Sequence, residues 1–130
     1  MPTKMTLRFD QLADVLVVVL EGRINQETAD GFKDDTLARL DTHEPPLFVF
    51  EMSSLEYMSS AGLRVLMLAS RACKARHGTI AVCGLQPTML EIFQISRFDK
   101  VFDCYESLEQ ALQALSTTAH RTHVERLSDQ

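Results

Sequence analysis

Two consecutive serines, Ser59 and Ser60, stand where an apolar strand-like run gives way to a helical pattern. Serine is a preferred helix N-cap, which is the structural use of such a pair. A chemical use is also open. Ala61 and Gly62 follow at once, so little side-chain bulk shields the hydroxyls and another protein can approach closely. Gly62 costs a first helical turn up to ~1 kcal/mol relative to alanine, which points to a close backbone approach there. As a nucleophile an unactivated serine is poor, and no histidine is placed to activate this one. Glu51 could sit near the serines and act as a base, and alone it does not complete a catalytic set. A serine at a helix start can instead be a substrate. Phosphorylation adds about −1.5 to −2 charges and three acceptor oxygens. The helix dipole and free N–H groups tolerate an anion there, so the fold should survive. A partner fitted to the bare hydroxyl would meet a dianion that is costly to desolvate.

The remaining chemistry-bearing residues are sparse. The chain has no G-x-x-x-x-G-K-[ST], G-x-G-x-x-G or H-E-x-x-H pattern, so neither a cofactor nor a metal is expected. His43 and His77 sit singly in turn regions. His120 and His123 are spaced i, i+3, and two histidines do not close a zinc site. Cys73, Cys83 and Cys104 are odd in number and widely spaced; they read as small core hydrophobes of a reducing cytoplasm.

The elements that must position the serines follow from hydrophobic pattern. Residues 4–10 alternate weakly and suit a solvent-facing edge strand. Residues 15–20 are almost wholly aliphatic, a central strand ending at Gly22, and the short link favours antiparallel pairing of the two. Asn25 is placed to cap a helix over 27–40, with Ala29, Phe32, Thr36 with Leu37, and Leu40 on one face. Pro45 and Pro46 precede the buried strand at Leu47-Phe48-Val49-Phe50. The spacing predicts a helix over 61–76 ending in Arg71, Lys74 and Arg76, cations that complement a helix C-terminus. A strand over 79–83, a helix opened by Pro87, and a last strand over 101–105 follow. Ser107 and Gln110 have capping-box spacing before a helix with Leu108, Ala111, Leu112 and Leu115 as its stripe. Residues 116–130 read as a polar tail with helix around Val124–Leu127. The predicted order is β-β-α-β-α-β-α-β-α: an α/β domain over 1–115, its mixed, mostly parallel sheet carrying about five strands and about four helices.

Composition limits the function classes. The 130 residues suffice for one domain with a proper core, and 45% hydrophobic with 24% charged residues is ordinary for a globular chain. The net charge of −5 disfavours a nucleic-acid surface. No apolar run approaches the ~20 residues of a membrane span, and residues 1–10 lack a secretory pattern, so a cytoplasmic location is expected.

The stretch Glu51-Met-Ser-Ser-Leu-Glu-Tyr-Met-Ser-Ser-Ala-Gly-Leu-Arg-Val-Leu66 closely resembles the signature of STAS-domain anti-sigma factor antagonists, or anti-anti-sigma factors. The likeness extends to Leu20–Asn25, to 77–85 and to 98–102, the last resembling the family's closing strand, and so covers roughly 5–115. It implies a STAS-like sheet with helices mainly on one face and the phosphoacceptor helix starting at an exposed edge. The family's acceptor lies two positions before the Gly of a Gly-Leu pair, which is Ser60 here, with Ser59 as the fallback. Where some members have Asp before the acceptor this chain has Ser59, and where Asp is usual at the strand end it has Glu51. The resemblance implies a partner-binding surface from Ser59, Ser60, Ala61, Gly62 and Arg64, joined by Gly22, Asn25 and Glu51. It further implies a non-enzymatic, partner-switching regulator that is a monomer or weak dimer. The unphosphorylated form would bind an anti-sigma factor serine kinase and free a sigma factor or other client; a PP2C-type serine phosphatase would reset it. The alternative is a scaffold of the same fold, such as an accessory subunit of a cytoplasmic ATPase or signalling assembly, without phosphorylation.

Overall fold

In the computed structural model residues 5–129 are described. They form one five-stranded sheet in the order β1-β2-β3-β4-β5. Strand β1 (Thr6–Leu12) runs antiparallel to β2 (Val15–Ile24) through a two-residue turn in which Ala13 takes φ 52°. The link is too short for a crossover, so antiparallel pairing is forced. Helix α1 (Gln26–Thr42) carries the chain to β3 (Leu47–Met58), and α2 (Ser60–Ala75) carries it to β4 (Thr79–Cys83). Helix α3 (Pro87–Ile95) and a 3-10 turn at Phe98–Lys100 lead to β5 (Asp103–Tyr105). Strands β2 to β5 are mutually parallel.

The central strands are apolar on both sides because both faces are covered. Leu16, Val18, Leu20, Phe48, Phe50 and Met52 face α1, α2 and α3 in the larger core. Val15, Val17, Val49, Ala81 and Cys83 face the other way, under α4 (Leu108–Leu115) and α5 (Thr117–Ser128). Three helices therefore lie on one face and two on the other.

Several expectations shift in detail. The expected start of β1 at Lys4 lies outside the described residues. Strand β2 does not end at Gly22; it runs on to Ile24, and Gly22, at φ 90°, sits where its register with β3 slips. The closing strand begins only at Asp103, because Phe98 and Phe102 turn inward onto Phe93, with ring centroids 5.7 and 6.3 Å from it. Residues 116–130, expected as a polar tail with helix only around Val124–Leu127, contain a longer fifth helix that packs on the domain. Ser116 caps α5 and bonds to the Asp14 carboxylate, Ala119 is buried, and Arg126 donates to both Asp10 carboxylate oxygens at 3.2 and 3.3 Å. Arg76 does not complement its own helix end. Its guanidinium crosses to the end of α1, donating to the carbonyls of Leu40 and His43 and to Glu44. Cys73 and Cys83 are core residues, their thiols pushed up to about 11 and about 12 chiefly by burial, whereas Cys104 is exposed.

Candidate functional site

Helices α1 and α2 both start at the carboxyl ends of parallel strands, β2 and β3, so their N-termini lie together at one end of the sheet. A backbone bond ties the two starts: the Ser59 amide donates to the Ile24 carbonyl at 2.8 Å. The aligned N–H groups of both first turns give this end a positive electrostatic bias.

At the start of α2 the two serines divide the work. Ser59 is the N-cap, with extended backbone, and its Oγ accepts from the Gly62 amide at 3.4 Å. Ser60 is the first helical residue and is exposed; among the described residues its hydroxyl makes no hydrogen bond. The hydroxyl left over by capping is thus the one presented to solvent. Ser59, Ser60, Ala61, Arg64 and Gln26 line a cleft of about 180 Å³ between the two helix starts. Arg64 is one turn beyond Ser60 on the same helical face and is exposed. Behind the site, the Arg23 guanidinium lies 4.8 Å from the centroid of the Tyr57 ring.

The other expected site residues fall elsewhere. Asn25 is adjacent, yet its side chain is occupied: Oδ1 accepts from the Thr28 amide and the Thr28 hydroxyl accepts from the Asn25 amide, both at 3.0 Å. Gly22 and Gly62 are buried. A Cβ on Gly62 would stand 2.5 Å from Met58 Cγ and 2.8 Å from Ile24 Cγ2. The close approach that this glycine permits is therefore made inside the chain, between α2 and the ends of β2 and β3. Glu51 is not brought near the serines. Its Oε1 accepts from the Ser53 amide at 2.7 Å, and it pairs with Cys83 in the sheet, seven strand residues before Met58. That separation is on the order of 20 Å along a strand, too far for general-base contact with Ser60.

Sequence pattern missed Gln26 across the cleft, for which no signal exists beyond its place after the Asn25 cap. Two of the four histidines have partners within the chain: His43 Nε2 contacts the Asp14 carbonyl at 3.2 Å, and His120 Nε2 lies 3.3 Å from Glu109 Oε1. Among the described residues no group of three or more His, Cys, Asp or Glu side chains is placed to hold a metal ion, and no helix is long and apolar enough to cross a membrane.

Comparison with known proteins agrees with this architecture. The STAS domain family model matches residues 6–111. BtrV of Bordetella bronchiseptica, described as a candidate anti-sigma factor antagonist, is 32% identical over 117 residues, 90% of this chain and 100% of that protein. The crystal structure of an anti-sigma factor antagonist from Mycobacterium paratuberculosis superposes with a TM-score of 0.77 at 25% identity, covering 86% of this chain and 94% of that one. The Bacillus cell fate determinant SpoIIAA in its phosphorylated form shares the fold, with a TM-score of 0.64 at 16% identity over 84% of this chain and 98% of that one. The chain belongs to the STAS domain family, among the anti-sigma factor antagonists.

Proposed function

We propose that this chain is a partner-switching antagonist controlled by phosphorylation of Ser60. Unphosphorylated, it binds an anti-sigma factor serine kinase in the cytoplasm and thereby frees a sigma factor or another client. The kinase transfers a phosphoryl group from its own ATP to Ser60 Oγ, and a PP2C-type serine phosphatase removes it. The chain acts as substrate and binding module, not as catalyst.

The observation that carries this reading is the division of labour between the serines: Ser59 caps α2, and Ser60 offers an exposed hydroxyl with no bond inside the chain. A phosphate on that oxygen stays at a helix N-terminus, where an anion is favoured, so the fold is undisturbed. SpoIIAA supports this point, since a protein of this fold exists in a phosphorylated form. The partner meets a different surface. Ser60, Ala61 and Arg64, with Gln26 across the cleft, present small and neutral or cationic groups before modification. About −2 charges and three oxygens stand there afterwards.

Binding of the purified anti-sigma factor, measured by calorimetry, tests the proposal. Ser60→Ala should bind within about twofold of the wild type. Ser60→Asp should bind at least about tenfold more weakly, and the phosphorylated protein about a hundredfold, since desolvating an uncompensated charge costs several kcal/mol. Equal affinity of all forms would remove the switch and favour the scaffold alternative.

A further inference from the structure

We infer that the solvent face of α2 is a cationic docking stripe that recognises an acidic protein surface on the anti-sigma factor; the identity of that partner rests on the function proposed above. Ser60, Arg64, Met67, Arg71 and Lys74 follow at spacings of four, three, four and three, which places them in one line down the helix. Arg64, Arg71 and Lys74 are exposed, and Met67 is half-buried between them. Helix α2 contains no Asp or Glu, in a chain whose net charge is −5. Among the described residues no carboxylate lies within 4.0 Å of the nitrogens of these three cations. The acids nearest in lining do not neutralise them: Asp30 shares its cleft with Lys33 as well as Arg64, and Asp103 lines a separate cleft with Lys74 beyond ion-pair distance.

Among the described residues only Arg8, Arg76 and Arg126 of the Lys and Arg side chains are ion-paired, so lack of a partner alone marks no site. What distinguishes Arg64, Arg71 and Lys74 is that they are exposed in one line on a helix without a single acid, an arrangement that fits a complementary strip of Asp and Glu. Met67 and the half-buried Leu68 interleave apolar contact area with the charge, which suits a protein partner. Three cations fall short of the six to ten phosphate contacts (a rough range) of a nucleic-acid site. The stripe also gives the switch its sign. Phosphate on Ser60 adds about −2 at the head of a +3 line, leaving about +1, and sets the new dianion against the partner's acids.

The test is charge reversal two or more turns away from Ser60. Arg71→Glu/Lys74→Glu should bind the anti-sigma factor at least about tenfold more weakly than the wild type. Wild-type affinity should itself fall severalfold between about 50 mM and about 300 mM NaCl. Lys100→Glu, an exposed reversal off the stripe, should change affinity less than about twofold. Undiminished binding by the double variant, or an equal loss in Lys100→Glu, overturns the proposal. If the anti-sigma factor does not bind the wild-type chain, the functional reading fails, and poly-L-glutamate decides the stripe. Its titration should shift amide resonances along α2, and the double variant should abolish those shifts. Shifts elsewhere, no shifts, or tighter binding of duplex DNA or anionic vesicles through the same residues refutes an acidic protein occupant.

Discussion

Helices α1 and α2 begin side by side at the same end of the sheet, yet their first turns are closed in different ways. At α1 the Asn25 and Thr28 side chains satisfy each other's amides in a reciprocal box with both bonds at 3.0 Å. At α2 a single serine accepts one bond of 3.4 Å, and the next serine is left unbonded. What holds the start of α2 is packing: Gly62 lies against Met58 and Ile24, and the Ser59 amide is bonded to Ile24. A helix start fixed from behind by backbone contact can leave its front hydroxyl free for modification. One fixed by its own side chains has nothing left to offer.

The contrast is most severely broken at the glycines. Gly62→Leu forces a branched side chain into the contact with Met58 and Ile24, and a urea melt should show a loss of about 3 kcal/mol or more. Gly62→Ala should still lose about 1–2 kcal/mol, although alanine is the better helix former by ~1 kcal/mol. Wild-type stability in Gly62→Ala would mean that α2 is not held by close packing. Asn25→Ala comes next, with about 1 kcal/mol lost from the cap and anti-sigma factor binding within about twofold. Gly31 gives the opposite sign. It sits exposed in α1 with nothing within 4 Å of an added Cβ, so Gly31→Ala should raise stability by up to ~1 kcal/mol in the same melt. Smallest is Ser59→Ala: its long bond should be worth about 0.5 kcal/mol, near the bottom of the range for caps.

These differences also mark what the amino-acid pattern could reveal. The Asn25 cap, Pro87 in the first turn of α3, and the aliphatic starts of β2 and β3 are local signals, set within a few residues, and the structure has them where pattern placed them, although both strands run on past their aliphatic runs, to Ile24 and Met58. The serine pair at the start of α2 was legible for the same reason. The inward role of Gly62 was not, because the side of a helix that meets the sheet depends on β2 and β3 ending beneath it. Helix α5 was legible only around Val124–Leu127, since its buried contribution is mainly Ala119, while its anchors, Arg126 on Asp10 and Ser116 on Asp14, join residues more than a hundred positions apart. Arg76 is a similar case: cations near a helix end suggest a local dipole effect, but its partners are carbonyls of another helix. Glu51 looked close to the serines in sequence and is held apart by the length of β3.

The central claim is that Ser60, freed by the cap at Ser59, is the acceptor. The most direct measurement is intact mass and peptide mapping after incubation with the anti-sigma kinase and ATP, for the wild type, Ser59→Ala and Ser60→Ala. The wild type and Ser59→Ala should each gain a single phosphate, mapped to Ser60, and Ser60→Ala should gain none. Phosphate retained by Ser60→Ala and lost by Ser59→Ala would contradict the account and make the capping serine the switch.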